Sequence, residues 1–137
     1  MNHLAVVAGG LALLGLPACT AATGAGATTR TVEIRVHHSR FLPGNLTVRA
    51  GTTVRFVLRN DDPIDHEFIV GDEALQLRHE RGTEPTHGER PTEVTLPAAS
   101  RTETTIRFAE SGRLTYACHL PGHLAYGMSG TLEVTGR

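Results

Sequence analysis

The sequence predicts an all-β protein, a β-sandwich of about eight short strands. Apolar and polar residues alternate over short stretches, turns rich in Gly, Pro, Asn and Asp separate these stretches, and helical periodicity is almost absent. Alternation places every second side chain on the same face of a strand. We therefore expect each strand to pack one face on a core and to expose the other to water.

The predicted strands follow one another along residues 31–137, which we expect to form one domain. Their marker residues are Val32/Ile34/Val36, Leu46/Val48, Val54/Phe56/Leu58, Phe68–Val70, Val94/Leu96, Thr104/Ile106/Phe108, Leu114–Cys118 and Leu132/Val134. The residue types at Pro43-Gly44-Asn45, Ala50-Gly51 and Asn60-Asp61-Asp62-Pro63 favour turns between these strands.

One polar segment, Gly71 to Pro91, is longer than the usual connection in a compact domain. Within the 72–92 loop, Glu73 to His79 predicts a short helix of about two turns. Asp72 is the expected N-cap and Leu75 the residue that packs inward.

The N-terminal segment predicts export. The apolar run Leu4 to Leu16 is shorter than the about 20 residues that span a bilayer, and it is typical of a signal peptide, which we assign to residues 1–18. Leu16-Pro17-Ala18-Cys19 resembles a bacterial lipoprotein signal, which implies a lipid on Cys19 and a flexible tether over residues 19–30. The alternative is ordinary secretion with cleavage nearby. We expect a location in the periplasm or cell envelope, with a lipid at Cys19 as the only link to a membrane.

The charge distribution excludes one class of partner. Lys and Arg total 13, Asp and Glu total 14, and the formal net charge is −1, with the two signs interspersed. Such a surface offers no basic patch to nucleic acid.

The strongest signal lies between the last two predicted strands, where Cys118, His123 and Met128 follow one another at intervals of five residues. Pro121 and Gly122 allow this irregular loop to curl, so that a thiolate, an imidazole and a thioether can converge on one ion. Soft sulfur beside imidazole nitrogen selects copper over hard cations.

A copper site of this kind needs a second imidazole from elsewhere in the chain. His66 is the candidate, because it begins a predicted strand that a sandwich can bring beside the final loop. Zinc is the competing metal, but structural zinc sites use more thiolates or several His and rarely Met. The donor set therefore favours one copper ion.

These residues resemble the cupredoxin family of blue type 1 copper proteins, in particular small bacterial members of the plastocyanin, azurin, rusticyanin and auracyanin kind. The resemblance spans residues 31–137. It rests on Phe41-Leu42-Pro43, on Val48 through Phe56, on His66, and on Cys118 through Met128 followed by Ser129-Gly130-Thr131-Leu132. It implies a Greek-key sandwich, one-electron transfer, and copper ligands His66, Cys118, His123 and Met128.

Two neighbours of the ligands are candidates for supporting roles. Many family members have Asn after the first His, where it helps tie the two ligand loops together, whereas this chain has Glu67. Its carboxylate either lies near the metal, where it would favour Cu(II), or points outward. His119 is expected at the surface or behind the ligands.

The remaining histidines carry weaker expectations. His37, His38, His79 and His87 are expected to be solvated, with binding of a second, weaker metal ion as the alternative. Ala117 precedes Cys118 and no His-x-His pair occurs, so the chain lacks the pattern of a trinuclear oxidase cluster. A fully ligated copper leaves no position for a substrate, and we expect no enzymatic activity.

The sequence therefore predicts an exported, monomeric carrier of single electrons. An apolar patch of Leu120, Pro121, Leu124 and Tyr126 around His123 is the expected face for brief docking with a redox partner protein. The alternative is a periplasmic copper-handling or resistance protein that stores or delivers copper.

Overall fold

The computed structural model describes residues 28–82 and 90–136, and these form nine strands and one helix. The elements are β1 (Thr29–Val36), β2 (Phe41–Leu42), β3 (Asn45–Arg49), β4 (Thr52–Asn60), β5 (His66–Gly71), α1 (Glu73–Glu80), β6 (Glu93–Leu96), β7 (Arg101–Phe108), β8 (Gly112–Ala117) and β9 (Ser129–Thr135). The predicted all-β class is confirmed.

The strands form two sheets that enclose one core. A four-stranded sheet has the order β2-β1-β4-β7, and a five-stranded sheet has the order β3-β9-β8-β5-β6. The chain passes repeatedly from one sheet to the other, so that residues distant in sequence become neighbours. This confirms the predicted sandwich.

Aromatic side chains fill the centre of the core. All four phenylalanines are buried there together with Tyr116. Phe68 lies at the middle, with its ring centroid 5.3 Å from that of Phe56, 5.8 Å from that of Phe41 and 5.5 Å from that of Tyr116. Tilted and edge-on contacts of this kind add to the free energy gained from burying the rings. The cluster links both sheets and anchors β5 in its middle.

Two strands differ from the sequence prediction. β1 begins at Thr29, inside the predicted tether, because Thr29 and Arg30 continue the parallel pairing of β1 with β4. The two-residue strand β2 was not predicted, since it is too short to show alternation.

The predicted signal peptide, Cys19 and most of the tether lie outside the described residues. Among the described residues, no helix has the length and apolarity needed to cross a membrane.

The predicted helix in the long loop is confirmed. Asp72 caps α1, and its Oδ1 accepts the Leu75 amide at 2.9 Å. Leu75 packs against Gly71 so closely that a Cβ on Gly71 would overlap its side chain. Leu75 is nevertheless only partly buried, and the buried residue of the helix is His79.

Replacing Gly130 with alanine tests the packing of β9 on the core. A Cβ on Gly130 would overlap the ring of Tyr116, whose hydroxyl donates to the Pro43 carbonyl at 2.7 Å. The ring is fully buried and its hydroxyl is hydrogen-bonded, so we expect Gly130→Ala to lower the free energy of unfolding by about 2 kcal/mol or more. That loss corresponds to a fall in Tm of about 8 °C or more. The control is Gly44→Ala, whose Cβ would lie 3.8 Å from its nearest neighbour; equal melting temperatures for the two variants would contradict the packing argument.

Candidate metal centre

Strand register brings the predicted ligands to one end of the five-stranded sheet. β5 pairs antiparallel with β8 through Ile69 and Ala117, and β8 pairs antiparallel with β9 through Ala117 and Ser129. The start of β5, the end of β8 and the start of β9 therefore lie side by side. His66 is the first residue of β5, Cys118 follows β8, and Met128 precedes β9.

The loop between Cys118 and Met128 is closed by its own backbone. The Cys118 amide donates to the Met128 carbonyl at 3.2 Å, and the Met128 amide donates to the His123 carbonyl at 3.0 Å. Gly122 and Gly127 have φ values of 85° and 86°, which glycine adopts without steric cost. These bonds hold the three predicted ligands of the loop in a fixed relation.

Three donor atoms converge within this end of the sheet. His123 Nδ1 lies 3.2 Å from Cys118 Sγ and 3.2 Å from His66 Nδ1, and all three ligand atoms lie within 4.8 Å of one another. His66 and Cys118 are fully buried, and His123 is partly exposed. Across residues 28–82 and 90–136, no other group of three His, Cys, Asp or Glu donors meets the same distance. Met128, also fully buried, is attached to the cluster through its backbone bonds to Cys118 and His123.

The donor set fits a single copper ion. Bonds from a transition metal to imidazole nitrogen and thiolate sulfur are about 2.0–2.3 Å long, so one ion can contact donors at this spacing. A buried thiolate with two imidazoles suits a soft metal such as copper. Burial raises the pKa of the Cys118 thiol to about 11, although the Leu120 and Glu67 amides act in the opposite direction. A cation at Sγ is therefore what would stabilise the thiolate at neutral pH.

Glu67 connects the two segments that carry these donors. Its amide donates to Cys118 Sγ at 3.3 Å, and its carboxylate Oε2 accepts the His119 amide at 3.2 Å. The side chain thus turns toward the cysteine loop, and this geometry contradicts the outward alternative. The contacts join β5 to the residues after β8.

His119 lies under helix α1 and is not a surface residue. Its ring is 3% exposed and contacts Glu80 Oε2 at 3.0 Å and Gln76 Oε1 at 2.7 Å. The Gln76 amide in turn donates to the carbonyls of Ile69 at 3.2 Å and Thr115 at 2.9 Å. Helix α1 therefore braces the strands on either side of the cluster.

Asp62 contacts a predicted ligand and was missed by the sequence analysis. Its Oδ2 lies 3.0 Å from His66 Nε2, and the amides of His38 and Ser39 donate to its carboxylate at 2.7 Å each. Burial acts to raise the pKa of Asp62, but the three hydrogen bonds outweigh it and the pKa lies below its usual value. For His66, burial lowers the pKa, although Asp62 acts in the opposite direction. In the sequence, the only sign of this contact is that Asp62 lies four residues before His66. An Asp in a predicted turn explains that residue equally well.

The other histidines follow the solvated expectation only in part. His38 is exposed, and its ring lies tilted against that of the partly buried His37, with ring centroids 3.9 Å apart. The expectation is wrong for His79, which is 5% exposed because α1 turns it inward, where Nδ1 contacts the Leu75 carbonyl at 3.1 Å. His87 lies outside the described residues.

The expected docking patch is divided between surface and core. Pro121 is exposed, and Tyr126 is 75% exposed. Leu124 is partly buried, and Leu120 packs against the hydrophobic core. The exposed apolar surface near His123 is therefore smaller than the sequence predicted, and it centres on Pro121 and Tyr126.

A β-sandwich with imidazole, thiolate and thioether side chains at one end defines a cupredoxin-like copper protein. Residues 10–134 match the Cupredoxin-like domain family. The chain belongs to this family, and copper is its cofactor.

The chain is similar to proteins named copper-resistant cuproproteins and to auracyanins of known structure. It is 30% identical over 142 residues to the copper-resistant cuproprotein CopI of Pseudomonas aeruginosa, covering 80% of this chain and 78% of that protein. It is 36% identical over 109 residues to CopI of Rubrivivax gelatinosus, covering 77% of this chain and 66% of that protein. Among solved structures, the blue copper protein auracyanin A of Chloroflexus aurantiacus shares 25% identity with a TM-score of 0.63, covering 78% of this chain and 99% of that one. Auracyanin B also shares 25% identity, with a TM-score of 0.64 and coverage of 77% and 88%.

Replacing Glu67 with glutamine tests the effect of its charge on the copper. Glutamine keeps an oxygen that can accept the His119 amide, but it removes a negative charge that stabilises Cu(II) over Cu(I). We expect Glu67→Gln to raise the reduction potential, measured by protein-film voltammetry. The control is Glu133→Gln, which makes the same charge change at an exposed position of β9. Equal potentials for the two variants would show that the Glu67 carboxylate only ties the loops together.

Proposed function

We propose that this protein is exported and carries single electrons through one copper ion held by His66, Cys118, His123 and Met128. The observation that supports this proposal best is the convergence of three donor atoms within 4.8 Å, at a buried site built on strand ends. A lipid on Cys19 would keep the carrier at a membrane surface, and cleavage without lipidation would release it into the periplasm.

The site is built to keep its donors in place when the charge of the ion changes. Strand pairing fixes His66, Cys118 and Met128, and the Glu67 amide points at Sγ. All three side chains are fully buried, and Cys118 and Met128 belong to the hydrophobic core. Copper, when bound, would supply the one-electron couple, and rigid ligands keep the reorganisation of the site small. With all four ligands from the chain, no coordination position is open to a substrate, and we propose no enzymatic reaction.

His123 is the proposed point of electron exit. It is partly exposed, whereas His66, Cys118 and Met128 are fully buried. The exposed ring of Tyr126 and Pro121 lie in the same loop and form a small apolar surface. A surface of this size suits brief docking of a monomeric carrier with a redox partner protein.

A second function, copper handling, is supported by the names of the relatives. Both CopI proteins described above are called copper-resistant cuproproteins. In this alternative the same donors would store Cu(I) or deliver it to an acceptor. The two functions differ in what must happen at the site, because delivery requires the ion to leave and electron transfer requires it to stay.

The spectrum of the copper-loaded protein tests the proposed site. We expect intense visible colour in the Cu(II) form, one copper per chain and reversible one-electron voltammetry. Cys118→Ser should abolish the colour, because serine offers no thiolate to the ion. A serine variant with the spectrum of its parent would refute the site. Colourless Cu(I) that passes within minutes to an added Cu(I) chelator would favour copper handling.

A charge placed on the exposed loop tests the docking face. Electron self-exchange between the Cu(I) and Cu(II) forms requires two copies to approach through their exit faces. We expect Tyr126→Glu to slow self-exchange, measured by NMR line broadening, by about tenfold, because like charges would oppose each other across the contact. The control is Ala109→Glu, at an exposed residue near the opposite end of β8. This docking face would be ruled out if both variants slowed self-exchange equally, or if neither variant slowed it.

A further inference from the structure

We propose that Asp62 is a positioning residue for the copper site: it fixes the tautomer of His66 and, as an anion, lowers the reduction potential of the copper. This inference rests on the proposed copper ligation by His66. Asp62 is 5% exposed and lies in the loop between β4 and β5. It is outside the cluster of donor atoms and would act only through His66.

The contact with His66 decides which ring nitrogen carries the proton. An ionised carboxylate can only accept hydrogen bonds, so the 3.0 Å contact requires a proton on His66 Nε2. Nδ1 then holds a lone pair, and this is the nitrogen that lies 3.2 Å from His123 Nδ1 among the donors. Asp62 thus prepares His66 for metal binding before any ion arrives.

The backbone around Asp62 is shaped to hold an anion. The consecutive amides of His38 and Ser39 donate to its two carboxylate oxygens at 2.7 Å each. Both residues have a φ of 51°, a left-handed conformation that costs a residue with a side chain about 1 kcal/mol or more. Successive amides turned toward one point form an anion-binding concavity. His38 and Ser39 thus both adopt an unfavourable backbone conformation, and in it the amides of both residues donate to the Asp62 carboxylate.

The main chain of Asp62 is fixed as well. Its amide donates to Asn60 Oδ1 at 3.0 Å, and its carbonyl accepts the Ala99 amide at 2.9 Å. The neighbouring Asp61, by contrast, forms ion pairs with Arg35 and Arg59. The hydrogen bonds to the Asp62 carboxylate come from amides and from His66, and no arginine among residues 28–82 and 90–136 forms an ion pair with it.

The charge of Asp62 is what distinguishes it from a neutral acceptor. A peptide carbonyl at the same place would fix the same tautomer without adding charge. A buried anion one imidazole away makes the ligand more electron-rich and stabilises Cu(II) more than Cu(I). The predicted consequence is a lower reduction potential than a neutral acceptor would give.

The test compares Asp62→Asn with Asp61→Asn, since both remove one negative charge from adjacent positions. We expect Asp62→Asn to raise the potential of the copper-loaded protein and to weaken Cu(II) binding by about 10- to 100-fold, with a smaller effect on Cu(I). We expect Asp61→Asn to leave both close to the parent values. Circular dichroism and Tm report whether each variant folds. A folded Asp62→Asn variant whose potential matches that of Asp61→Asn would overturn the proposal.

A second measurement needs no variant and no copper. Nitrogen-15 NMR of the metal-free wild-type protein should show His66 neutral, with its proton on Nε2 and slow to exchange with water. A proton on Nδ1, or a rapidly exchanging Nε2 proton, would overturn the proposal even if Asp62→Asn failed to fold. Loss of the proposed function would be seen separately, as a wild-type protein that binds no copper while His66 keeps this tautomer.

Discussion

The register of β5, β8 and β9 is the constraint on which the metal centre depends. His66, Cys118 and Met128 come from three separate strand ends, and antiparallel pairing places these ends side by side. A slip of one residue would turn every side chain of a strand to the opposite face and remove its ligand from the site. The aromatic cluster opposes such a slip, because Phe68 and Tyr116 stand on adjacent strands with ring centroids 5.5 Å apart. The same strand pairings therefore position both the core side chains and the predicted ligands.

Hydrogen bonds then fix orientations that strand pairing leaves open. The β5 side of the site is held by Asp62 behind His66, and the cysteine side is held by the Glu67 amide at Sγ. The loop after Cys118 is held by His119, whose ring contacts Gln76 on α1. These contacts come from the turn before β5, from β5 itself and from α1. The loop from Cys118 to Met128 thus rests on residues that are not among the proposed copper ligands.

The sequence predicted features whose signal is local. Alternation predicted the sandwich, the Asp72 cap predicted α1, and the spacing of Cys118, His123 and Met128 predicted a metal loop. It could not predict contacts that exist only after distant segments meet. Asp62 looks like a turn residue until the amides of His38 and Ser39 reach it, and His79 looks like a solvated helix residue until α1 packs on the sheet. β2 has two residues, and its pairing with β1 is the only reason it is a strand.

The distribution of burial bears on the choice between electron transfer and copper handling. Three of the proposed ligands are fully buried, and the edge of the site that reaches the surface belongs to His123. In the proposed electron-transfer role, the electron would leave through that imidazole, which already reaches the surface. Release of copper by opening of this loop would break the backbone bonds that join Met128 to Cys118 and to His123. Opening of this kind costs the free energy of local unfolding. The core beneath the loop and the contacts of α1 increase that free energy. The architecture therefore favours retention of the ion, and a role in copper resistance would be compatible with it if the protein acts by holding copper or by changing its oxidation state.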